Sequence, residues 1–337
     1  MQAAVLEPPN STGYPWPSSP GTCVSQALTT HSKNDSIVEG LPGLYVALPV
    51  VYSVICALGL TGNTAVIYVL LREPKMQTVT HVFILNLAVA DVLFTLVLPV
   101  SIAEHLLQRW PFGELLCKLV LAADHYNLFS SAYFLAAMSV DRYRVVLATA
   151  RSLRAPRGRT LRAARRASRC IWLGVTVLVL PFFAFAGVYR NELQVRSCGL
   201  SFPQPERAWF QASRIYTLVL GFVLPMCALC GLYADLLRRL HTLRLRSGAK
   251  ALGKARRKVT ALVLAVLAVG LVCWTPFHLA SVVALTTDVP QTPLVIGISY
   301  TITSLSYASS CLNPFLYAFL DSGFRKNFWA AFRCQGP

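Results

Sequence analysis

The sequence predicts an all-α membrane protein, a bundle of seven transmembrane helices followed by a short amphipathic eighth helix. Three observations carry this prediction. The chain has 337 residues, of which 55% are hydrophobic and only 13% charged, whereas a soluble globular domain carries about 25% charge. The charges are clustered, and long apolar runs separate the clusters. The basic residues concentrate on alternate connecting segments, as in proteins whose membrane orientation is set by loop charge.

Residues 1–38 precede the first apolar run and are rich in Pro, Ser and Thr, a composition typical of disorder. They contain no apolar segment of the kind that a cleavable signal peptide needs. We therefore expect a disordered extracellular tail, with the first span acting as the targeting signal. Two N-x-S/T sequons, at Asn10 and Asn34, are candidate glycosylation sites in such a tail.

Seven apolar runs follow within residues 39–320, the predicted receptor domain. Each is long enough for a membrane-spanning helix, which needs roughly 20 apolar residues. Two of them contain a single acidic residue, Asp91 in the run at about 78–103 and Asp124 in the run at about 117–140. The five charge-free runs lie between Glu39 and Arg72, Arg169 and Arg190, Arg214 and Asp235, Lys258 and Asp288, and Asp288 and Asp321.

The net charge of +17 raises the question of nucleic-acid binding, but its distribution argues against this class. If the first helix runs from outside to inside, 24 of the 31 Lys and Arg residues fall on cytoplasmic segments. Such asymmetry sets membrane orientation, and basic loops also face anionic lipid. The sequence thus predicts a multi-pass plasma-membrane protein with its N-terminus outside and its C-terminus in the cytoplasm.

Three cysteines stand apart from the small apolar residues of the spans. Cys117 begins the third span and Cys198 precedes the fifth, so both face the oxidising exterior, which favours a disulfide between them. Cys334 follows a short basic amphipathic stretch in the tail at 321–337. It is a candidate palmitoylation site.

Polar residues within the spans fall on single helix faces, and intramembrane polar groups mark functional sites. In the third span, Asp124, Asn127, Ser131 and Arg142 share one face, because 18 residues make five full turns. An unpaired carboxylate buried at Asp124 needs a cationic partner. The seventh span carries a similar stripe, and Asn63 and Asp91 lie at the middle of the first two spans. The stripe comprises Thr303, Ser306, Ser310, Asn313 and Tyr317.

Several motifs, in order and each in its own span, give the chain a family resemblance over about 43–333. They are Gly62-Asn63, Leu87-Ala88-Val89-Ala90-Asp91, Trp110-Pro111-Phe112-Gly113, Asp141-Arg142-Tyr143, Trp172, Pro225 with Tyr233, Cys273-Trp274-Thr275-Pro276-Phe277-His278, Asn313-Pro314-Phe315-Leu316-Tyr317 and Phe324-Arg325-Lys326-Asn327-Phe328. The chain resembles the rhodopsin-like (class A) G-protein-coupled receptors. Within them it looks like the neuropeptides B/W receptors, which are related to the opioid and somatostatin receptors.

The resemblance implies a receptor for neuropeptide W and neuropeptide B that signals through inhibitory G proteins of the Gi/o type. The implied ligand-binding residues are Asp124, Tyr307, Trp274, Phe277, His278, Glu104 and Glu192. Tyr307 is expected to hydrogen-bond Asp124, and Glu104 and Glu192 are placed at the rim. An allosteric sodium ion is expected at Asp91, Asn127, Ser131, Ser309 and Asn313. The implied activation switch comprises Asp141, Arg142, Tyr143, Tyr233, Trp274, Pro276, Asn313, Pro314 and Tyr317.

The sequence departs from the family pattern at two positions that bear on these roles. Arg256 stands where many members have an acidic partner for the arginine of the Asp-Arg-Tyr motif, so that ion pair is not expected here. Ser309 replaces the more usual Asn of the seventh span.

Other functions fit the sequence less well. A receptor for another basic peptide or for a small amine is the nearest alternative, since Asp124 also suits an amine, but only Thr217 offers a hydroxyl in the fifth span. A retinal protein needs a lysine where Tyr307 stands. A transporter would show internal repeats. An enzyme is not expected, because the six histidines lack metal-ligand spacing and Asp91 and Asp124 lie on different helices.

Overall fold

A computed structural model describes residues 42–72, 78–150, 160–191, 194–246, 252–287, 292–320, 324–326 and 328–329 of the chain. Four predicted site residues, Asn10, Asn34, Glu192 and Cys334, lie outside the described residues. The backbone of Arg142 and Arg256 is helical, but their side chains are not described.

Helices account for nearly all of the described residues, and one β-hairpin lies among them. The helices are α1 (Pro42–Arg72), α2 (Val79–Thr95), α3 (Leu98–Leu107), α4 (Gly113–Ala150), α5 (Leu161–Phe185), α6 (Glu206–Leu218), α7 (Leu224–Arg246), α8 (Leu252–Thr286) and α9 (Pro293–Leu320), with a π-helical segment at Val219–Val223 between α6 and α7. The hairpin consists of β1 (Ala186–Arg190) and β2 (Arg196–Leu200), which pair antiparallel with Val188 opposite Cys198.

Five helical rods among the described residues are long and apolar enough to cross a membrane. They are Tyr45–Arg72, Val79–Leu107, Leu161–Phe185, Glu206–Asp235 and Leu267–Thr286. The other two predicted spans correspond to α4 and α9, which have 38 and 28 residues. Both exceed the roughly 20 residues that a span needs. They carry the two polar stripes and are therefore less apolar than the other five rods.

The bundle is arranged around α4. This helix packs against α2, α5, α7 and α8, while α1 contacts α2 and α9, and α9 contacts α8. A buried apolar cluster joins five of these helices to the segment after α9, through residues that include Val69, Leu87, Phe134, Ala164, Tyr317 and Phe324. Asp124, Asn127 and Ser131 of the polar stripe are buried in the interior, as their spacing predicts.

Two glycines allow α1 to approach its neighbours closely. A Cβ atom on Gly59 would lie 2.5 Å from Cγ2 of Thr95 on α2, and one on Gly62 would lie 3.0 Å from Cγ of Pro314 on α9. Both distances are shorter than an ordinary van der Waals contact. Glycine at these positions therefore sets the separation of three helices around the polar centre of the bundle.

The π-helical segment lies directly before Pro225 and has a local cause. The N–H of Leu224 donates to the carbonyl of Val219, and Pro225 has no N–H to give. The carbonyl of Leu220 consequently lacks both of its usual backbone donors. The hydroxyl of Tyr133 on α4 donates to it at 3.1 Å, which fixes the widened turn against the central helix.

Candidate functional site

The outer end of the bundle is covered by the β-hairpin, which a disulfide fixes to α4. Cys117 and Cys198 are bonded, with their Cα atoms 5.6 Å apart, so the predicted pairing is confirmed. The N–H of Trp110 donates to the carbonyl of Arg196 at 2.8 Å, a second link between the hairpin and the segment before α4. The hairpin is thereby held over the space between the helices.

Asp124 lies beneath this cover and is only 6% exposed. The hydroxyl of Tyr307 on α9 donates to Oδ2 of Asp124 at 3.4 Å, the contact that the sequence predicts. The Tyr307 ring packs between Tyr52 and Phe94, at 5.3 and 4.9 Å between ring centroids. Asp124 has no ion-pair partner among the described residues. Burial of a carboxylate without a cation costs free energy. This position therefore favours the binding of a positively charged group.

An aromatic cluster on α8 lies one turn further into the bundle. Trp274 and Phe277 pack with Leu128 of α4, which follows Asp124 by one helical turn. The His278 ring stacks on Phe222 at 4.5 Å and is 2% exposed. Its Nε2 atom has no hydrogen-bond partner in the described part of the chain. The three α8 residues predicted for the ligand site therefore lie together and below Asp124.

Glu104 on α3 approaches the same region from the outer side. Its carboxylate lies near the backbone amide of Cys198 and close enough to Tyr300 and Asp124 for electrostatic interaction. In the hairpin, burial and then the charges of Glu104 and Glu206 raise the pKa of Tyr189. Glu104 is partly buried and has no ion-pair partner among the described residues. Its predicted place at the rim stays a prediction.

A network of polar side chains around Asp91 occupies the middle of the bundle. Oδ1 of Asp91 accepts from Nδ2 of Asn127 at 3.0 Å, and Oδ2 accepts from Nδ2 of Asn313 at 2.9 Å. Ser310 donates to Oδ1 of Asn127 at 3.1 Å, and its carbonyl accepts from Nδ2 of Asn63 at 2.8 Å. The network thus connects α1, α2, α4 and α9 through groups that are almost fully buried.

The five residues predicted for a sodium site do not all meet in this network. Asp91, Asn127 and Asn313 are hydrogen-bonded together, but Ser309 donates instead to the carbonyl of Ser306 at 2.7 Å. Ser131 makes no hydrogen bond to the network among the described residues. Ser310 takes the place expected for Ser309. The polar stripe of the seventh span includes Ser310, so the spacing of that stripe was the signal for it.

At the inner end, Asp141 is held by a residue that the sequence analysis did not single out. The hydroxyl of Thr80 on α2 donates to Oδ2 of Asp141 at 3.1 Å. Tyr143 donates to the carboxylate of Asp235 on α7. Both contacts tie the inner end of α4 to a neighbouring helix. No sequence motif marks either Thr80 or Asp235, because each acts through a tertiary contact.

The remaining residues of the predicted switch are distributed along α7, α8 and α9. The buried hydroxyl of Tyr317 has no hydrogen-bond partner among the described residues, and the Tyr317 ring lies 6.3 Å from that of Phe324. Pro276 lies inside α8 and Pro314 inside α9, where a missing N–H allows a helix to bend. Tyr233 lies on α7.

In comparison with known proteins, the chain is similar to one family of receptors and to several of its members. A family model described as 7 transmembrane receptor (rhodopsin family) matches residues 62–317. The chain is 75% identical to the neuropeptides B/W receptor type 2 of Bos taurus over 336 residues, covering 100% of this chain and 99% of that protein. It is 61% identical to the human type 1 receptor over 322 residues, 95% and 97% of the two chains. Identity to the somatostatin receptor type 5 of Rattus norvegicus is 42% over 284 residues, 84% and 77% of the two chains.

Proposed function

The chain belongs to the rhodopsin family of seven-transmembrane receptors, a family of receptors rather than enzymes, and on this premise we propose that it is a receptor for neuropeptides B and W. The names of its relatives supply the ligand class. The observation that carries the proposal in this chain is the buried carboxylate of Asp124, which lacks a cation among the described residues and faces an aromatic cluster.

The peptide binds by supplying the missing cation. A free N-terminal amine or a basic side chain pairs with Asp124, and the Tyr307 hydroxyl orients the carboxylate. Trp274, Phe277 and His278 form the floor, where aromatic faces suit stacking and cation–π contacts. Electrostatic pairing in a site closed from water contributes more than it does at a surface, so this contact is the main anchor of the ligand.

The family and the charge distribution support a specific membrane arrangement. We propose seven spans, formed by the five apolar rods together with α4 and α9, and an amphipathic eighth helix at the segment that contains Phe324. The N-terminus lies outside, where Asn10 and Asn34 accept glycans, and the C-terminus lies in the cytoplasm, where Cys334 accepts a palmitoyl group. The basic inner loops contact anionic lipid.

The signal passes from the pocket through the polar centre to the inner end. Asp91, Asn127, Ser310 and Asn313 supply the hard oxygen donors that suit a sodium ion, and such an ion would stabilise the resting arrangement. At rest, Asp141 restrains Arg142. On activation α8 moves at Pro276, and Arg142 turns towards Tyr233 and Tyr317, opening a site for an inhibitory Gi/o protein.

Binding of labelled neuropeptides W and B to membranes of cells that express this chain tests the ligand assignment. We expect saturable binding of both peptides, displaced by unlabelled peptide, and a severe loss of affinity in Asp124→Asn at unchanged surface abundance. Glu114→Gln is the matched control, because Glu114 is exposed and pairs with Lys118 at 3.1 Å. Absence of saturable binding, or displacement by small amines at lower concentration than by either peptide, would refute the assignment.

A further inference from the structure

Tyr133 of α4 contacts the π-helical turn inside the fifth span, the rod Glu206–Asp235. We infer that its hydroxyl selects this π-helical register of the span, and that the register places Phe222 against His278 in the aromatic floor of the pocket. Tyr133 is thereby a positioning residue, which affects the ligand through another helix. The effect on the ligand rests on the proposed function, whereas the choice of register does not.

Tyr133 itself is not placed to bind a ligand at Asp124. Nine residues separate the two along α4, which puts their side chains on opposite faces of the helix and about 13 Å apart along its axis. An effect of Tyr133 on peptide binding must therefore pass through the residues that its hydroxyl holds in place.

The π-helical turn leaves one carbonyl, that of Leu220, without a backbone donor. The N–H of Leu224 donates to Val219, and Pro225, the next residue, has no N–H. Lipid offers no donor, so a neighbouring side chain must satisfy such a carbonyl within a membrane. The Tyr133 hydroxyl does this at 3.1 Å. Once the hydroxyl is removed, the backbone can supply a donor only by returning the Leu224 N–H to Leu220, which converts the turn into ordinary α-helix.

The two registers place the outer half of the span, α6, in different orientations. A π-type bond spans one residue more than an α-type bond, so conversion rotates α6 relative to α7 by about 100° and shifts it by about 1.5 Å. In the observed register the Tyr216 hydroxyl donates to the carbonyl of Leu178 at 3.1 Å, and the Tyr216 ring lies 6.2 Å from that of Phe129. These contacts also favour the observed register. Loss of the Tyr133 hydroxyl should therefore give a mixture of the two registers.

Phe222 connects the π-helical turn to the ligand site. Its ring stacks on that of His278 at 4.5 Å and packs against the buried cluster of α4 and α8 that forms the floor. The adjacent Gly221 faces α4 so closely that an added Cβ would lie 3.1 Å from Cδ2 of Leu128. The widened turn thus fits between α4 and the aromatic floor, and a change of register moves Phe222 relative to His278.

Tyr133→Phe removes the hydroxyl and keeps the ring, so it tests the register alone. Spin labels carried by noncanonical amino acids at Ile215 of α6 and Leu180 of α5, both exposed positions, report the orientation of α6. The purified unmodified chain should give one distance between the labels, and Tyr133→Phe should add a second. Tyr126→Phe is the matched control, because it removes another tyrosine hydroxyl of α4, which contacts Thr176. This control should keep the single distance.

Peptide binding tests the effect of the register on the pocket. Apparent affinity falls in proportion to the fraction of receptor in the competent state, so a chain with half of its molecules in the second register should bind labelled neuropeptide W about 2-fold more weakly. Saturating neuropeptide W should return Tyr133→Phe to the first distance. Gly221→Ala presses the turn away from α4 and should produce the same second distance, which keeps the inference testable where Tyr133→Phe does not reach the cell surface.

The label distances need no ligand, so they separate this inference from the proposed function. A single unchanged distance in Tyr133→Phe overturns the inference, whatever the peptide does. A second distance that leaves the affinity unchanged, or that saturating peptide does not reduce, overturns the effect on the pocket. If native neuropeptides W and B fail to bind the unmodified receptor while the label distances behave as expected, the proposed function alone is wrong.

Discussion

Single polar side chains buried in this bundle are held mainly by partners on other helices. Asp91 accepts hydrogen bonds from α4 and α9, Asp124 from α9, and Asp141 from α2. Each contact joins two helices, and we propose that activation changes the relative positions of these helices. Substitutions at these residues are therefore expected to alter the equilibrium between resting and active states more than the fold.

Asp91 provides the first prediction. Sodium chloride should lower the affinity of labelled neuropeptide W relative to choline chloride at equal ionic strength, because the ion favours the resting arrangement. Couplings between sites are typically about 1–3 kcal/mol, or roughly 5- to 150-fold. Asp91→Asn should remove the difference between the two salts. Equal affinity in both salts for the unmodified receptor would eliminate the proposed ion.

Asp141 provides the second prediction. Asp141→Asn keeps an oxygen for the Thr80 hydroxyl but removes the charge that we propose restrains Arg142, so ligand-independent nucleotide exchange should rise. A change of about 1 kcal/mol in a two-state equilibrium corresponds to roughly 5-fold.

Thr80→Val is the informative comparison for Asp141, since it removes the hydrogen bond at 3.1 Å and leaves the charge. It should raise basal exchange less than Asp141→Asn does. Basal exchange that is normal in Asp141→Asn and raised in Thr80→Val would show that the hydrogen bond, and not the charge, holds the resting state.

Sequence reasoning located most of the polar residues and the Tyr307 partner of Asp124, but not the other partners. The helical spacing of Asp124, Asn127 and Asn313 placed them on interior faces, and the structure confirms those faces. The sequence placed Ser309 in the predicted sodium site, but Ser310 is the residue that bonds Asn127. Adjacent serines differ by about 100° around the helix, and only the packed structure decides which one faces Asn127. Thr80 was missed because its contact with Asp141 is tertiary, and no local sequence motif marks it.

At the scale of elements, the hairpin depends on its link to α4. The Cys117–Cys198 bond holds β2 over the pocket and near Glu104, and native disulfides contribute roughly 2–4 kcal/mol. The double variant Cys117→Ala, Cys198→Ala should lose peptide binding or surface expression, as measured by labelled peptide and by surface antibody. Normal abundance with native affinity would show that the hairpin holds its place without the bond.

The contact between α1 and α2 gives the fourth prediction. Gly59→Ala would place its methyl 2.5 Å from Cγ2 of Thr95, and overpacking of this kind costs about 1–3 kcal/mol. The melting temperature of the detergent-purified receptor should fall. Thr95→Ser in the same chain removes the opposing methyl and should restore it. Gly174→Ala, which meets nothing within 4 Å, is the control and should leave the melting temperature unchanged.

The elements themselves were only partly predictable. The seven apolar runs, five of them free of charge, located the long helices of the described residues, because apolar length is a strong signal. The π-helical segment was not predicted, since it results from the combination of Pro225 with the Tyr133 hydroxyl on another helix. The hairpin was not predicted either, because its pairing depends on a disulfide and on a covered site that the local sequence does not specify.

At the scale of the whole molecule, function requires that occupation of the outer pocket changes the inner end of the bundle. Three described contacts lie along α4, namely Asp124 with Tyr307, Asn127 with Asp91, and Asp141 with Thr80. The sequence directly after α4 and α7 is basic. A G protein that docks there would stabilise the ligand-bound arrangement, and linkage makes the effect reciprocal.

Ligand-stimulated nucleotide exchange tests the receptor assignment most directly. The purified chain is reconstituted in lipid with an inhibitory G-protein heterotrimer, and binding of a labelled GTP analogue is followed over time. Neuropeptides W and B should each accelerate exchange on the unmodified chain and fail to do so on Asp124→Asn at matched concentration, while Glu114→Gln responds normally. Exchange that neither peptide accelerates, or that both accelerate equally on Asp124→Asn, would contradict a neuropeptide receptor anchored at Asp124.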